Sequence, residues 1–175
     1  MKYLYLIGLV LIGVAVNAQS NKELDLIDGF SIFKFGRSTS DIKDIQKDTT
    51  SLINGKSFAV YHYNGDSVKS IFSVQVSDIS LLFYQDQLAK IDIKLGTISN
   101  NYTLAEFNRI QQALEAQYGK YTGKLAMSGA VLLGGSRWRG RKHILEHTRY
   151  TSTSKKKSGS WTVGNLSFEN KNLSN

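Results

Sequence analysis

The sequence predicts an α+β protein, with two short helices packed on antiparallel β-meanders, and three observations carry that reading. From Phe58 to Leu95 the strand signal dominates, clearest where Ala89, Ile91, Ile93 and Leu95 alternate with Lys90, Asp92 and Lys94, the pattern of a strand with one wet face. Thr103 to Gly119 instead carries apolar residues at helical spacing behind a capping signal. Three further extended segments follow that helix, so strands come in runs, as in an antiparallel sheet with helices laid on one face.

The first 18 residues read as a cleaved signal peptide. One Lys precedes an uncharged run from Leu4 to Val16, and Val16-Asn17-Ala18 offers the small residues a leader peptidase needs. That run is about 13 residues, short of the roughly 20 that span a bilayer as a helix. The mature chain, residues 19–175, is therefore expected as a single secreted or periplasmic α+β domain with no transmembrane anchor after cleavage. The absence of cysteine removes disulfides, thiolate chemistry and a lipidated cysteine. Burial alone must hold the fold, which a chain of this length can manage.

The elements come in order. Gly29 to Gly36 is a short aromatic strand bracketed by glycines. Ser38 with Asp41 three residues on starts a helix over about residues 39–48, with Ile42 and Ile45 on one face and Asp41, Asp44 and Asp48 toward another. The strand FAVYHY ends at Asn64-Gly65, a strong hairpin cue. ISLLFY and LAKIDIKL form a second hairpin about Gln85-Asp86-Gln87. Thr103 and Glu106 make a capping box, and Leu104, Phe107, Ile110, Leu114 and Tyr118 give the helix its apolar stripe before Gly119 ends it. VLLGGSRWRG, KHILEHTRYTST and WTVGNLSFEN complete the strands. The order resembles one α-β-β-β unit used twice, with halves at 29–98 and 99–170.

Gly36-Arg-Ser-Thr-Ser-Asp-Ile42 is similar to the helix start of the small periplasmic SmpA/OmlA-type proteins and of the related tandem-repeat β-lactamase-inhibitor proteins. Leu82-Phe-Tyr-Gln-Asp-Gln-Leu88 resembles the hairpin of those families. The resemblance covers about 60 residues of the first half. It implies helices on an antiparallel sheet and a role in holding another protein, without catalysis. The lipidation cysteine and the Gly-x-Pro found after the first helix in those families are missing here.

Charge marks one candidate surface. Residues 19–119 carry ten Lys or Arg against twelve Asp or Glu, whereas residues 120–157 carry ten basic residues against Glu146 alone. In a strand, Arg137, Arg139 and Arg141 would share one face with Trp138 on the other. Lys142, Arg149 and the Lys155, Lys156, Lys157 turn would widen the patch into a surface for a polyanion or an acidic protein. The plainer reading is a charged strand edge that resists pairing.

A second candidate is His143-Ile-Leu-Glu146-His147, which has the H-x-x-E-H spacing of one class of zinc peptidases. Zinc would need His143 and His147 one helical turn apart, with Glu146 as base. Thr148, Tyr150, Thr151 and Thr153 favour a strand instead, in which the two histidines share a face with their Cα atoms roughly 13 Å apart. Gly129 to Ser136 resembles a phosphate loop, but Gly135 stands where the lysine belongs, and no cofactor is expected. The function expected is a non-catalytic binding protein that engages an envelope or secreted protein, or an anionic glycolipid or other polyanion. Intracellular nucleic acid is not an expected partner, and a small zinc-dependent hydrolase is the alternative.

Overall fold

The computed structural model describes residues 21–97, 99–125, 132–153 and 160–174. The expected signal peptide and Lys155, Lys156 and Lys157 lie outside these residues. A 3₁₀ turn at Leu24–Leu26 precedes the two-residue strands β1 (Gly29–Phe30) and β2 (Phe33–Lys34), and a second 3₁₀ turn spans Thr39–Asp41. Then come β3 (Ile45–Ile53), β4 (Lys56–Tyr63), β5 (Ser70–Ile71), β6 (Val74–Tyr84) and β7 (Gln87–Leu95). Helix α1 (Leu104–Tyr118) is next, then β8 (Gly123–Lys124), β9 (Leu132–Arg139), β10 (His143–Thr153), β11 (Ser160–Asn170) and the one-turn helix α2 (Lys171–Ser174).

The main sheet runs β3-β4-β6-β7-β11-β10-β9-β8, with β5 paired to β6. Every pairing is antiparallel, as the sequence runs predict. Two meanders thus meet at their last strands, β7 against β11, with Ile93 opposite Leu166 and Ile91 opposite Phe168. Helix α1 carries the chain from one meander to the other. It buries Ile110, Leu114 and Tyr118 and starts as expected: Thr103 Oγ1 accepts from Glu106 N at 3.2 Å while Glu106 accepts from Thr103 N at 2.8 Å.

The expected helix over residues 39–48 is not formed. Asp41 does accept from Ser38 N at 3.2 Å, but the chain leaves the helical path at Ile42, which is extended with φ of −114° and ψ of 118°, and Asp44 then turns it with φ of 60°. The next segment, IQKDTTSLI, is rich in β-branched residues and becomes β3. Asn54-Gly55, with φ of 49° and 78°, makes the tight turn that joins β3 to β4. Asn64-Gly65, the expected hairpin cue, instead opens a loop in which Asn64 N bonds Asp44 O at 2.8 Å. The hairpin about Gln85 and Asp86 forms between β6 and β7.

One face of the sheet is covered. Helix α1 and the β1–β2 hairpin pack there against Leu81, Phe83, Ile91, Ile93, Leu145, Trp138, Leu166 and Phe168, in a single core. Phe30 stacks on Phe168 at 4.7 Å and Phe33 meets Tyr63 edge-on at 5.0 Å. The strand alternation puts polar residues on the other face, where α2 covers one corner through Leu173 beside Phe58, Val60, Leu82 and Ala89.

Candidate functional site

HILEH is extended, within β10. His143 and His147 point to the covered face and are buried, while Glu146 points to the open face. His147 is held on three sides. Its Nδ1–H donates to Gln111 Oε1 at 3.1 Å, its Nε2 accepts from the Tyr102 hydroxyl at 2.9 Å, and Phe107 stacks on its ring at 4.4 Å. Burial holds this imidazole neutral, pushing its pKa down to about 3, and burial pushes the Tyr102 hydroxyl up. His143 instead stacks on Phe35 at 5.2 Å, with Nδ1 3.9 Å from Asp25. The zinc alternative built on His143, Glu146 and His147 is therefore corrected: strand geometry sends the carboxylate away from both imidazoles, and the imidazoles lie four strand positions apart. Among the described residues no three metal-ligating side chains converge.

The basic residues separate. Only Arg137 and Arg139 lie on β9, since the strand stops before Gly140 and Arg141 sits in the turn. The expected row of three guanidiniums thus contains two. Arg137 pairs with Glu146 directly across the strands, Nε donating at 2.6 Å, which neutralises it. Arg139, Arg141 and Lys142 are exposed at one corner of the sheet. Arg149 faces the covered side and donates from Nε to Tyr102 O at 3.0 Å, so it does not extend that patch.

The turn itself holds an anion of the chain's own. The Asp25 carboxylate accepts from the backbone N–H of Arg141, Lys142 and His143 at 2.6, 2.7 and 3.2 Å. Burial alone would raise its pKa, but those three amides outweigh burial and hold it below the usual carboxylate value.

What the sequence did not single out is the open face as a whole. A depression of about 460 Å³ lies across it, floored by Ser80, Asp92, Lys94, Thr148, Asn165 and Ser167 among others. Two ion pairs cross its strands, Lys94 to Asp78 at 3.3 Å and Arg137 to Glu146, and a third, Lys90 to Asp92 at 3.1 Å, runs along β7. His62 bridges Asp78 at 2.9 Å and Asp48 at 3.2 Å. Asp48 reaches it from the irregularity in β3 between Lys47 and Thr49, where the extra residue re-aims the side chain. For Asp78, burial is opposed by Lys94 and His62, and the net effect holds its carboxyl low. Asp92 Oδ1 is buried without a hydrogen-bond partner among the described residues. Alternation in the sequence marks these residues as wet. Their convergence depends on β11 inserting between β7 and β10, which no local pattern encodes.

No family model, characterised protein or solved structure matches the chain.

Proposed function

We propose that the protein is a non-catalytic, secreted or periplasmic binding protein that receives another envelope or secreted protein on its open sheet face. The observation that carries this reading is the uncovered polar depression spanning both meanders. Its lining charges balance, Lys90 and Lys94 against Asp92 and Glu146, which suits a protein surface of mixed polarity better than a polyanion. Arg139, Arg141 and Lys142 sit at the corner where they steer an acidic rim of the partner. The leader sequence supports placement outside the cytoplasm, and the resemblance to SmpA/OmlA-type proteins supports holding over catalysis. The meeting of the meanders at their last strands supports a duplicated origin, although only the second half carries the α-helix.

Site-specific photo-crosslinking tests the reading. A photoreactive residue at Thr148, on the open face, is expected to yield a discrete adduct in envelope extract, and one at Arg109, on the exposed side of α1, is not. The Thr148 adduct should disappear when Ser80→Arg blocks the depression. Equal adducts from both positions, or none from Thr148, would reject the open face as the binding surface.

A further inference from the structure

We propose that the outer edge of β3 joins two copies of this chain, pairing antiparallel with the same strand of a second copy about a two-fold axis at Ser51. β3 ends the main sheet and pairs with β4 alone. Among the described residues, no backbone hydrogen bond reaches its other side between Thr49 and Ile53. Such a row of open N–H and C=O groups is a template for another strand. Charge and bulges protect edges of this kind, and β3 carries both in its first half only: Lys47, Asp48 and the irregularity between Lys47 and Thr49. Thr49-Thr-Ser-Leu-Ile53 has neither. It is uncharged and rich in β-branched residues, and Leu52 within it is 75% exposed.

The residues of this stretch fit a second copy of themselves. An antiparallel partner centred on Ser51 sets Thr49 opposite Ile53 and Thr50 opposite Leu52, twice over by symmetry. Each pair sets threonine against an aliphatic side chain, and no charge meets a like charge. Centring the pairing on Lys47 or Asp48 would bring like charges together. Alternation puts Thr49, Ser51 and Ile53 on the open face and Thr50 and Leu52 on the other. Thr49 and Ser51 line the depression there, and Ile53 packs with the group that includes Phe58 and Val60. The two-fold axis stands perpendicular to the sheet, so both open faces look the same way. Each copy thereby extends the rim of the other's depression with its own Ser51 and Ile53. A ligand protein long enough to reach both depressions is held more tightly than by either alone. Pairing an edge with itself also consumes both edges, so assembly closes at the dimer.

The chain has no cysteine, so single thiols in the mature protein report the register. Ser51→Cys sets two thiols across the axis with Cα atoms about 5 Å apart, within disulfide reach. Leu52→Cys leaves its two Cα atoms about 8 Å apart, beyond that reach. Under mild oxidation the first should give a disulfide-linked dimer and the second should not. Sedimentation equilibrium should show a concentration-dependent dimer of the wild-type chain. Thr50→Lys with Leu52→Lys opposes like charges across the axis and should weaken that dimer at least about tenfold. Thr50→Glu with Leu52→Lys opposes unlike charges and should restore it. Both positions are exposed, so circular dichroism should be the same for all these variants. A wild-type monomer at on the order of 100 μM, equal linking by the two thiols, or equal behaviour of the two double variants would each overturn the assignment. The Thr148 adduct reports on a different partner and is read separately from all of these outcomes.

Discussion

A buried imidazole at His147 makes the protein sensitive to acid. The ring sits in a directed chain in which the Tyr102 hydroxyl donates to His147, His147 to Gln111 Oε1, and Gln111 Nε2 to Glu115 at 2.7 Å. Protonating Nε2 would break the first link and place a charge among Phe107, Tyr102 and Leu145. The folded pKa is lowered, so the unfolded chain takes up the proton first. Stability is full above the unfolded value near 6.5 and falls as pH drops from there toward about 3. Between pH 7 and pH 4 the loss should reach about 3 kcal/mol. His143, lowered mainly by burial despite the pull of Asp25, acts in the same direction. Urea unfolding across that range checks this: His147→Gln should be less stable at neutral pH yet flatter in its pH profile. A wild-type profile with no slope there would show that the ring is not held neutral. The strand reading of HILEH already puts both imidazoles on one face. It cannot reveal that the face is core, because that depends on α1 being laid over β10.

Among the elements, the tight hairpins differ in how well their residues suit them. Asn54-Gly55 is the favoured pair for a turn with both residues at positive φ. Phe72-Ser73, between β5 and β6, takes φ of 48° and 64° with residues that disfavour it. Phe72 is also exposed, so little packing compensates. Replacing the pair by Asn-Gly should stabilise the protein by about 1 kcal/mol, seen as a higher urea midpoint with an unchanged slope. A lower midpoint would mean that the Phe72 ring holds the loop from within. The same contrast separates the elements that are legible in the sequence from those that are not. Helix α1 is legible because its caps and stripe agree, and β6, β7, β9, β10 and β11 because alternation and turns agree. The first expected helix stops after one 3₁₀ turn, which Ser38 and Asp41 do cap, because the residues that follow do not continue it. The Thr-rich run after Asp44 and the Asn54-Gly55 turn outweigh the cap, and both lie downstream of the capping residues.

At the scale of the whole molecule, the segment before β3 acts as a latch between distant parts. Asn21 N bonds Arg139 O at 3.1 Å, and its side chain spans to Tyr118 O at the end of α1. Asp25 then closes the β9–β10 turn through three amides, while Gly36 N and Arg37 O pair with Leu88 on the first meander. Asp25→Ala leaves those amides without their acceptor and should cost roughly 3 kcal/mol, measured by denaturant unfolding at neutral pH. The wild-type advantage should fade as pH falls through the lowered Asp25 pKa, since the protonated group is a poor acceptor. A cost below about 0.5 kcal/mol would reduce the latch to a surface contact. Charge counting locates the basic turn, but its internal counter-ion lies more than a hundred residues away and cannot be read from composition.

The position of β11 has a consequence for assembly. It is the last long strand to leave the ribosome, yet it occupies the middle of the sheet between β7 and β10. Until it arrives, both neighbours are bare edges and the two meanders have no seam, so the longest-range contacts form last and slowly. A nascent chain with this topology keeps its two meanders unjoined until β11 has been made, with the edges of β7 and β10 open to pairing with other chains in the meantime.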